Sequence, residues 1–250
     1  MRTLILLFFW STQEAVEAYR QGVALVEQSQ AQAAIPLLEK AAKLEPRNAQ
    51  YWKALGVAYA SLDQLRDAID PLRKACSLSP SLLDACYYYG RNLYAVDRYE
   101  DALAPLETAV KVDRVKGRAE AAIGQCYEAL GRDGEAEKRF LSALSRKDAA
   151  DRQVRLAYGH FLIRHARAEE ALKMLEPAQQ PESAEARYLL GLALSQTDRL
   201  AEAASKLERA VALKQSDVPA RVLLAKVYRR LGRAGDAMRL EDPSVRQPQY

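Results

Sequence analysis

Tyr51–Pro80, YWKALGVAYASLDQLRDAIDPLRKACSLSP, is the stretch that decides the fold. Trp52, Leu55, Gly56 and Tyr59 are spaced three, one and three residues apart, so they share one face of a helix. Gly56 has no side chain, which lets a second helix approach closely there. Ala68, Leu72 and Ala75 make the matching face of that second helix. Asp63 stands near its start as the expected N-cap. Pro80 cannot continue the helix and marks its stop.

Working outward, the pattern recurs. The small residue of the first helix returns at Gly22, Gly56, Gly90, Gly124, Gly159, Gly191 and Ala225, in steps of 34, 34, 34, 35, 32 and 34. An alanine of the second helix follows with the same steps at Ala34, Ala68, Ala102, Ala136, Ala171, Ala203 and Ala237. Two tracks sharing one period define a repeat architecture of seven helix pairs. Each pair cannot bury its apolar face alone and must stack on its neighbours.

These residues resemble the tetratricopeptide repeat family, over about residues 13 to 241. The resemblance is carried by Trp52, Leu55, Gly56, Tyr59, Ala68, Leu72, Ala75 and Pro80, and again by Tyr89, Gly90, Ala102, Leu106 and Ala109. It continues through Ile123, Gly124, Tyr127, Ala136, Phe140 and Ala143, then Tyr158, Gly159, Ala171, Leu175 and Ala178, then Leu190, Gly191, Leu194, Ala203, Leu207 and Ala210. It implies an all-α fold, a right-handed α-solenoid (superhelix) of antiparallel helix pairs. Some positions depart from the family pattern. Only Pro46 and Pro80 fill the terminal proline, where later units have Arg114, Asp148, Ser183 and Gln215. Pro36, Pro71 and Pro105 fall inside second helices, where each removes a backbone bond and should bend its helix.

The ends of the array are set by local signals. Ser11 followed by Glu14 matches a capping box, so the first helix is expected near Thr12. The array then spans 12–241, and the tail 242–250, with Pro243 and Pro248, is expected to be irregular. Residues 1–11 stand apart. Arg2 precedes the apolar run Leu4–Trp10, which is far too short to span a bilayer but long enough for the core of a signal peptide. Two readings stay open. Met1–Ser11 is a signal peptide and the array is exported, periplasmic or secreted, although Phe9 lies where a cleavage site wants a small residue. Alternatively the segment is an apolar lead-in packed on the first helix of a cytoplasmic protein.

Composition excludes several classes. The 37 Lys and Arg against 33 Asp and Glu leave a formal charge of +4, mixed along the chain rather than gathered as a nucleic-acid footprint would be. Cys76, Cys86 and Cys126 are odd in number, with spacings of 10 and 40, which offers neither a disulfide framework nor a zinc pattern. Small core residues are the expectation for all three. His160 and His165 lie about 140° apart around a helix, so they share no ligand face. The acidic pairs Glu100–Asp101 and Glu169–Glu170 suit the openings of second helices, where the dipole favours them. No nucleophile, phosphate-loop or metal motif is present, so no catalytic residue, cofactor or metal is expected and the chain reads as a non-enzyme.

Binding is the remaining function. The resemblance implies a concave groove lined by first helices at set offsets from each small residue. Applied here, those offsets present Tyr19, Arg20 and Val23; Lys53 and Val57; Asp84, Tyr87, Tyr88, Arg91 and Tyr94; Arg118, Gln125 and Glu128; Leu156, His160, Ile163, Tyr188 and Leu192; and Lys226, Arg229 and Arg230. The partner-binding candidates are Tyr87, Tyr88, Arg91, Tyr94 and Arg118, because Tyr and Arg concentrate binding energy. Some of these tyrosines could instead pack between neighbouring repeats. The family's carboxylate clamp is matched at only two of five positions in its best register, Lys53, Val57, Tyr88, Arg118 and Ala122, and is disfavoured. The expectation is a protein-interaction scaffold binding a peptide or partner protein of unknown identity. The alternative is a polyanion or nucleic-acid binder using the basic end, Arg221, Lys226, Arg229, Arg230, Arg233 and Arg239.

Overall fold

A computed structural model describes residues 2–82, 84–112, 116–145 and 152–241, with residues 2–11 described by their backbone. The chain divides into two compact units, Met1–Ala143 and Leu144–Tyr250. The first holds α1 (Arg2–Glu27), α2 (Ala31–Leu44), α3 (Ala49–Ser61), α4 (Leu65–Leu78), α5 (Ala85–Ala95), α6 (Tyr99–Ala109), α7 (Lys116–Ala129) and α8 (Asp133–Leu144). The second holds α9 (Arg152–Arg164), α10 (Ala168–Leu175), α11 (Ala184–Gln196), α12 (Leu200–Leu213), α13 (Val218–Arg230) and α14 (Ala234–Glu241). The fourteen described α-helices follow the repeat period, a short 3-10 turn, Glu176–Gln179, comes after α10, and the described residues include no strand.

The close approach at the small residues is visible directly. A Cβ built on Gly56 would sit 2.5 Å from Cγ of Leu72, and one on Gly90 would sit 2.4 Å from Cγ of Leu106. Gly22, Gly159 and Gly191 meet Leu38, Leu175 and Leu207 in the same way, and Gly124 lies against the ring of Phe140. The paired residue lies sixteen positions on each time. In the seventh unit that position is Glu241, and there Ala225 replaces glycine and is fully buried.

Each first helix ends the same way. Gln64 N–H donates to Tyr59 C=O at 3.0 Å and Asp63 N–H donates to Ala60 C=O at 3.1 Å, with Asp63 at φ 60°. This is a Schellman stop, in which a left-handed residue lets two orphan carbonyls be satisfied. Asp63 is therefore the C-terminal turn residue of α3, not the N-cap of α4. Gln64 holds the N-cap position and makes no side-chain cap bond. The left-handed residues Ser29, Asp63, Asp97, Gly131, Ala166, Asp198 and Gly232 form a third track with the repeat's own steps. One residue later comes Gln30, Gln64, Arg98, Arg132, Arg167, Arg199 or Arg233. The five arginines each reach a carboxylate three residues on: Asp101 at 2.7 Å, Glu135 at 2.6 Å, Glu170 at 2.8 Å, Glu202 at 2.7 Å and Asp236 at 2.7 Å. Asp101 and Glu170, from the acidic pairs noted above, thus sit in the first turns of second helices.

Two further expectations need correction. Cys76 and Cys86 form a disulfide, with their Cα atoms 4.6 Å apart. The turn after α4 folds back so that the end of α4 faces the start of α5, and sequence spacing alone does not report that approach. Cys126 is free and buried, as expected, and burial pushes its thiol up to about 12. Second, α1 begins at Arg2, not near Thr12. Nothing in Leu4–Trp10 breaks a helix, so the capping signal at Ser11 does not start one. α2, α4 and α6 run unbroken through Pro36, Pro71 and Pro105, each of which lacks the backbone N–H that would donate inside its helix. The tail 242–250, with Pro243 and Pro248, lies outside the described residues, as do Arg114 and Asp148.

Candidate partner-binding site

All five candidates lie in the first unit, on α5 and α7. They fall into two groups. Tyr87 is half-buried, packed against Cys86, Ala109 and Ala119, and Arg118 of α7 stands 5.5 Å from its ring centroid. Tyr94 is also half-buried, packed with Tyr99 at a centroid distance of 5.4 Å. Arg91 lies 5.3 Å from the Tyr94 ring and donates to Gln125 Oε1 at 2.5 Å. These four side chains join the third repeat to the fourth, so packing between repeats is part of their role. Tyr88 differs. It is 36% exposed, touches Tyr87 edge-on at 5.8 Å, and has Lys53 of α3 at 5.7 Å from its ring.

Tyr88 faces a cavity of about 270 Å³ lined by Tyr19, Val23, Val26, Glu27, Gln50, Lys53, Ala54, Val57, Leu82 and Tyr88 itself. Five of these, Tyr19, Val23, Lys53, Val57 and Tyr88, are groove positions chosen from the sequence, and the structure brings them together from α1, α3 and α5. Val26, Glu27, Gln50 and Ala54 were not singled out, although they obey the same offsets. Leu82 carries no repeat signal, because it belongs to the turn between α4 and α5. In the second unit, Leu156 and Ile163 are buried rather than presented to a groove. A branched apolar residue at a groove offset still packs inward where neighbours cover it. His165 packs against the Phe161 ring in a tilted arrangement, with centroids 4.3 Å apart.

Most of the arginines at the basic end of the array are engaged from within. Arg221 donates to the C=O of Leu240, Arg229 pairs with Glu241 at 2.5 Å, and Arg230 pairs with Asp198 at 2.6 Å. Arg233 pairs with Asp236 and lies 4.2 Å from the Tyr228 ring, and Arg239 reaches Asp236 at 3.4 Å. Among the described residues there is no cluster of three His, Cys, Asp or Glu able to hold a metal, and no helix long and apolar enough to cross a membrane.

The family model for the tetratricopeptide repeat matches residues 19–82, 90–152 and 162–218, so the chain belongs to the tetratricopeptide repeat family. No curated protein matches the chain. Solved structures similar to it include the APC/C hetero-tetramer Cut9-Hcn1, at a TM-score of 0.75 and 16% identity, over 88% of this chain and 43% of that one. The chain thus spans less than half of that neighbour's length. PilW, a widely conserved type IV pilus biogenesis factor, matches at a TM-score of 0.70 and 16% identity, over 84% of this chain and 98% of its own. A tetratricopeptide repeat protein from Parabacteroides merdae matches at 0.69 and 16%, over 94% and 96%. At such identities the likeness is one of fold. Proteins of this family are typically non-enzymatic scaffolds for protein–protein interaction, and family membership supports that role here.

Proposed function

We propose that the chain is a non-enzymatic scaffold that binds a peptide or partner protein on the inner face of its first unit, across Tyr87, Tyr88, Arg91, Tyr94 and Arg118. One observation carries the reading: the groove positions Tyr19, Val23, Lys53, Val57 and Tyr88, from three separate helices, line one cavity, and Tyr88 joins it to the other candidates through its edge-on contact with Tyr87. A face built only for packing between repeats would be closed by its own side chains. Tyr88 contributes rigid aromatic area at low entropic cost, and Arg91 and Arg118 add guanidiniums suited to carboxylates. Arg91 contacts Gln125 and the Tyr94 ring, and Arg118 stands against the Tyr87 ring, which places both guanidiniums beside the groove. The double substitution Arg91→Ala with Tyr94→Ala is expected to weaken partner binding by about thirtyfold, the effect of losing roughly 2 kcal/mol. Full-strength binding by the folded double variant moves the site elsewhere.

The proposal extends to location. An exported protein meets an oxidising compartment, where a disulfide such as Cys76–Cys86 persists. Together with the apolar run after Arg2, this favours removal of Met1–Ser11 on export. N-terminal sequencing of protein from native cells tests it, and an intact Met1 overturns it.

A further inference from the structure

The cavity between repeats one, two and three has the size and lining of an anchor pocket. Its volume, about 270 Å³, falls below the roughly 300–1,000 Å³ of pockets that enclose small-molecule ligands. It suits one or two side chains better than a cofactor. Val23, Val26, Ala54, Val57 and Leu82 give it an apolar wall, and Tyr19 and Tyr88 add ring surface. The polar lining is sparse and of mixed sign, with Glu27 from α1, Gln50 and Lys53 from α3. Charges of opposite sign on successive repeats orient whatever lies across them.

The tenth lining residue is the unusual one. Leu82 comes from the turn between α4 and α5, while the other nine sit on helices. Cys76 and Cys86 close this turn at both ends, and Leu82 N–H donates to Ser79 C=O at 2.9 Å within it. Leu82 and Gln50 also border an open depression with Leu44, Pro46, Leu78 and Ser79, so the pocket continues onto the edge of the array. The disulfide therefore holds in place the one wall that no helix supports.

We infer that this pocket takes a single large apolar side chain, the size of phenylalanine, leucine or methionine, from a partner segment that also carries a carboxylate next to that anchor. The carboxylate meets Lys53, whose ammonium stands over the Tyr88 ring at the pocket's edge. The inference rests on the groove reading above and names the chemistry of what the groove receives. The anchor's burial supplies affinity, since removing apolar surface from water is the main favourable term in association. The Lys53 contact supplies orientation more than strength.

The test uses random dodecapeptides displayed on phage and selected against the full oxidised chain. The expected consensus has one large apolar position beside an acidic one. Replacing that apolar residue by alanine in a selected peptide is expected to lower affinity at least roughly tenfold, with no change to the protein. Val57→Trp, which fills the pocket, is expected to abolish the same binding, and Leu82→Ala or the pair Cys76→Ser with Cys86→Ser to weaken it several-fold. Peptides that bind Val57→Trp as well as wild type overturn the pocket. If those peptides are instead lost on the Arg91→Ala, Tyr94→Ala variant, the groove reading survives with a different anchor. If neither set of substitutions matters, or if selection yields no peptide, both readings fall.

Discussion

At the scale of single residues, the repeat is governed by what each position can tolerate. Glycine recurs beside a leucine or phenylalanine because its missing Cβ makes the space that the partner side chain fills, and alanine suffices only where Glu241 replaces that partner. The left-handed residue that ends each first helix follows a different rule. Aspartate, serine and glycine occupy it at six of seven places, and all tolerate or assist a positive φ. Ala166, at φ 57°, has neither a helpful side chain nor glycine's freedom. Ala166→Gly is expected to raise stability by up to about 1 kcal/mol, the left-handed strain relieved less the added unfolded-state entropy. Urea unfolding measures it, and a destabilised variant would show that Ala166 makes contacts worth more than its strain.

Elements are joined by two staples of different kinds. The disulfide Cys76–Cys86 ties α4 to α5 across a separation of 10 residues. Closing a loop of that size restricts the unfolded chain, so reduction is expected to cost about 2–3 kcal/mol. Thiol titration of the unfolded, unreduced protein should find Cys126 alone, and three reactive thiols would refute the bond. The second staple follows α10, where a 3-10 turn, Glu176–Gln179, leads to α11. Glu182 accepts from Arg187 at 3.0 Å and from Arg209 at 2.6 Å, while Gln179 accepts from Arg187 and Lys206. Arg209 above all, then Arg187, hold the Glu182 carboxyl down at about 2. A depressed carboxylate stabilises the fold above its unfolded value and ceases to do so as pH falls through its folded one. Glu182→Gln should therefore be less stable than wild type at neutral pH, with the gap closing between about pH 4.5 and about pH 2. A gap that persists unchanged at the acid end would assign the loss to packing rather than charge.

For the molecule as a whole, the question is what the excess of basic residues does. The formal charge of +4 is small, and the C-terminal arginines that suggested a polyanion site are engaged by Asp198, Asp236, Glu241 and a backbone carbonyl. A polyanion would have to displace those partners as well as its own counterions. Heparin is therefore expected to release the protein at or below roughly 0.15 M salt, while groove binding responds weakly to the same change. Retention well above that concentration would restore the polyanion reading.

Periodicity made the architecture legible without coordinates. A period near 34, with glycine and alanine at constant offsets and apolar residues spaced for helix faces, resembles the tetratricopeptide pattern and so implies a stack of helix pairs, each burying its apolar face on its neighbours. The same offsets identified five walls of the cavity, since a groove built by repetition presents equivalent positions. Features that interrupt the repeat were not legible. Leu82 reaches the cavity from a turn, Cys76 meets Cys86 because that turn folds back, and Asp63 ends one helix rather than starting the next. Nor did sequence show that Arg230 was already paired, since its carboxylate partner Asp198 lies in the preceding repeat. Local spacing decides what neighbours on one helix can do, whereas a contact across a turn or between repeats depends on where the chain has been carried in space, and only the tertiary structure records that.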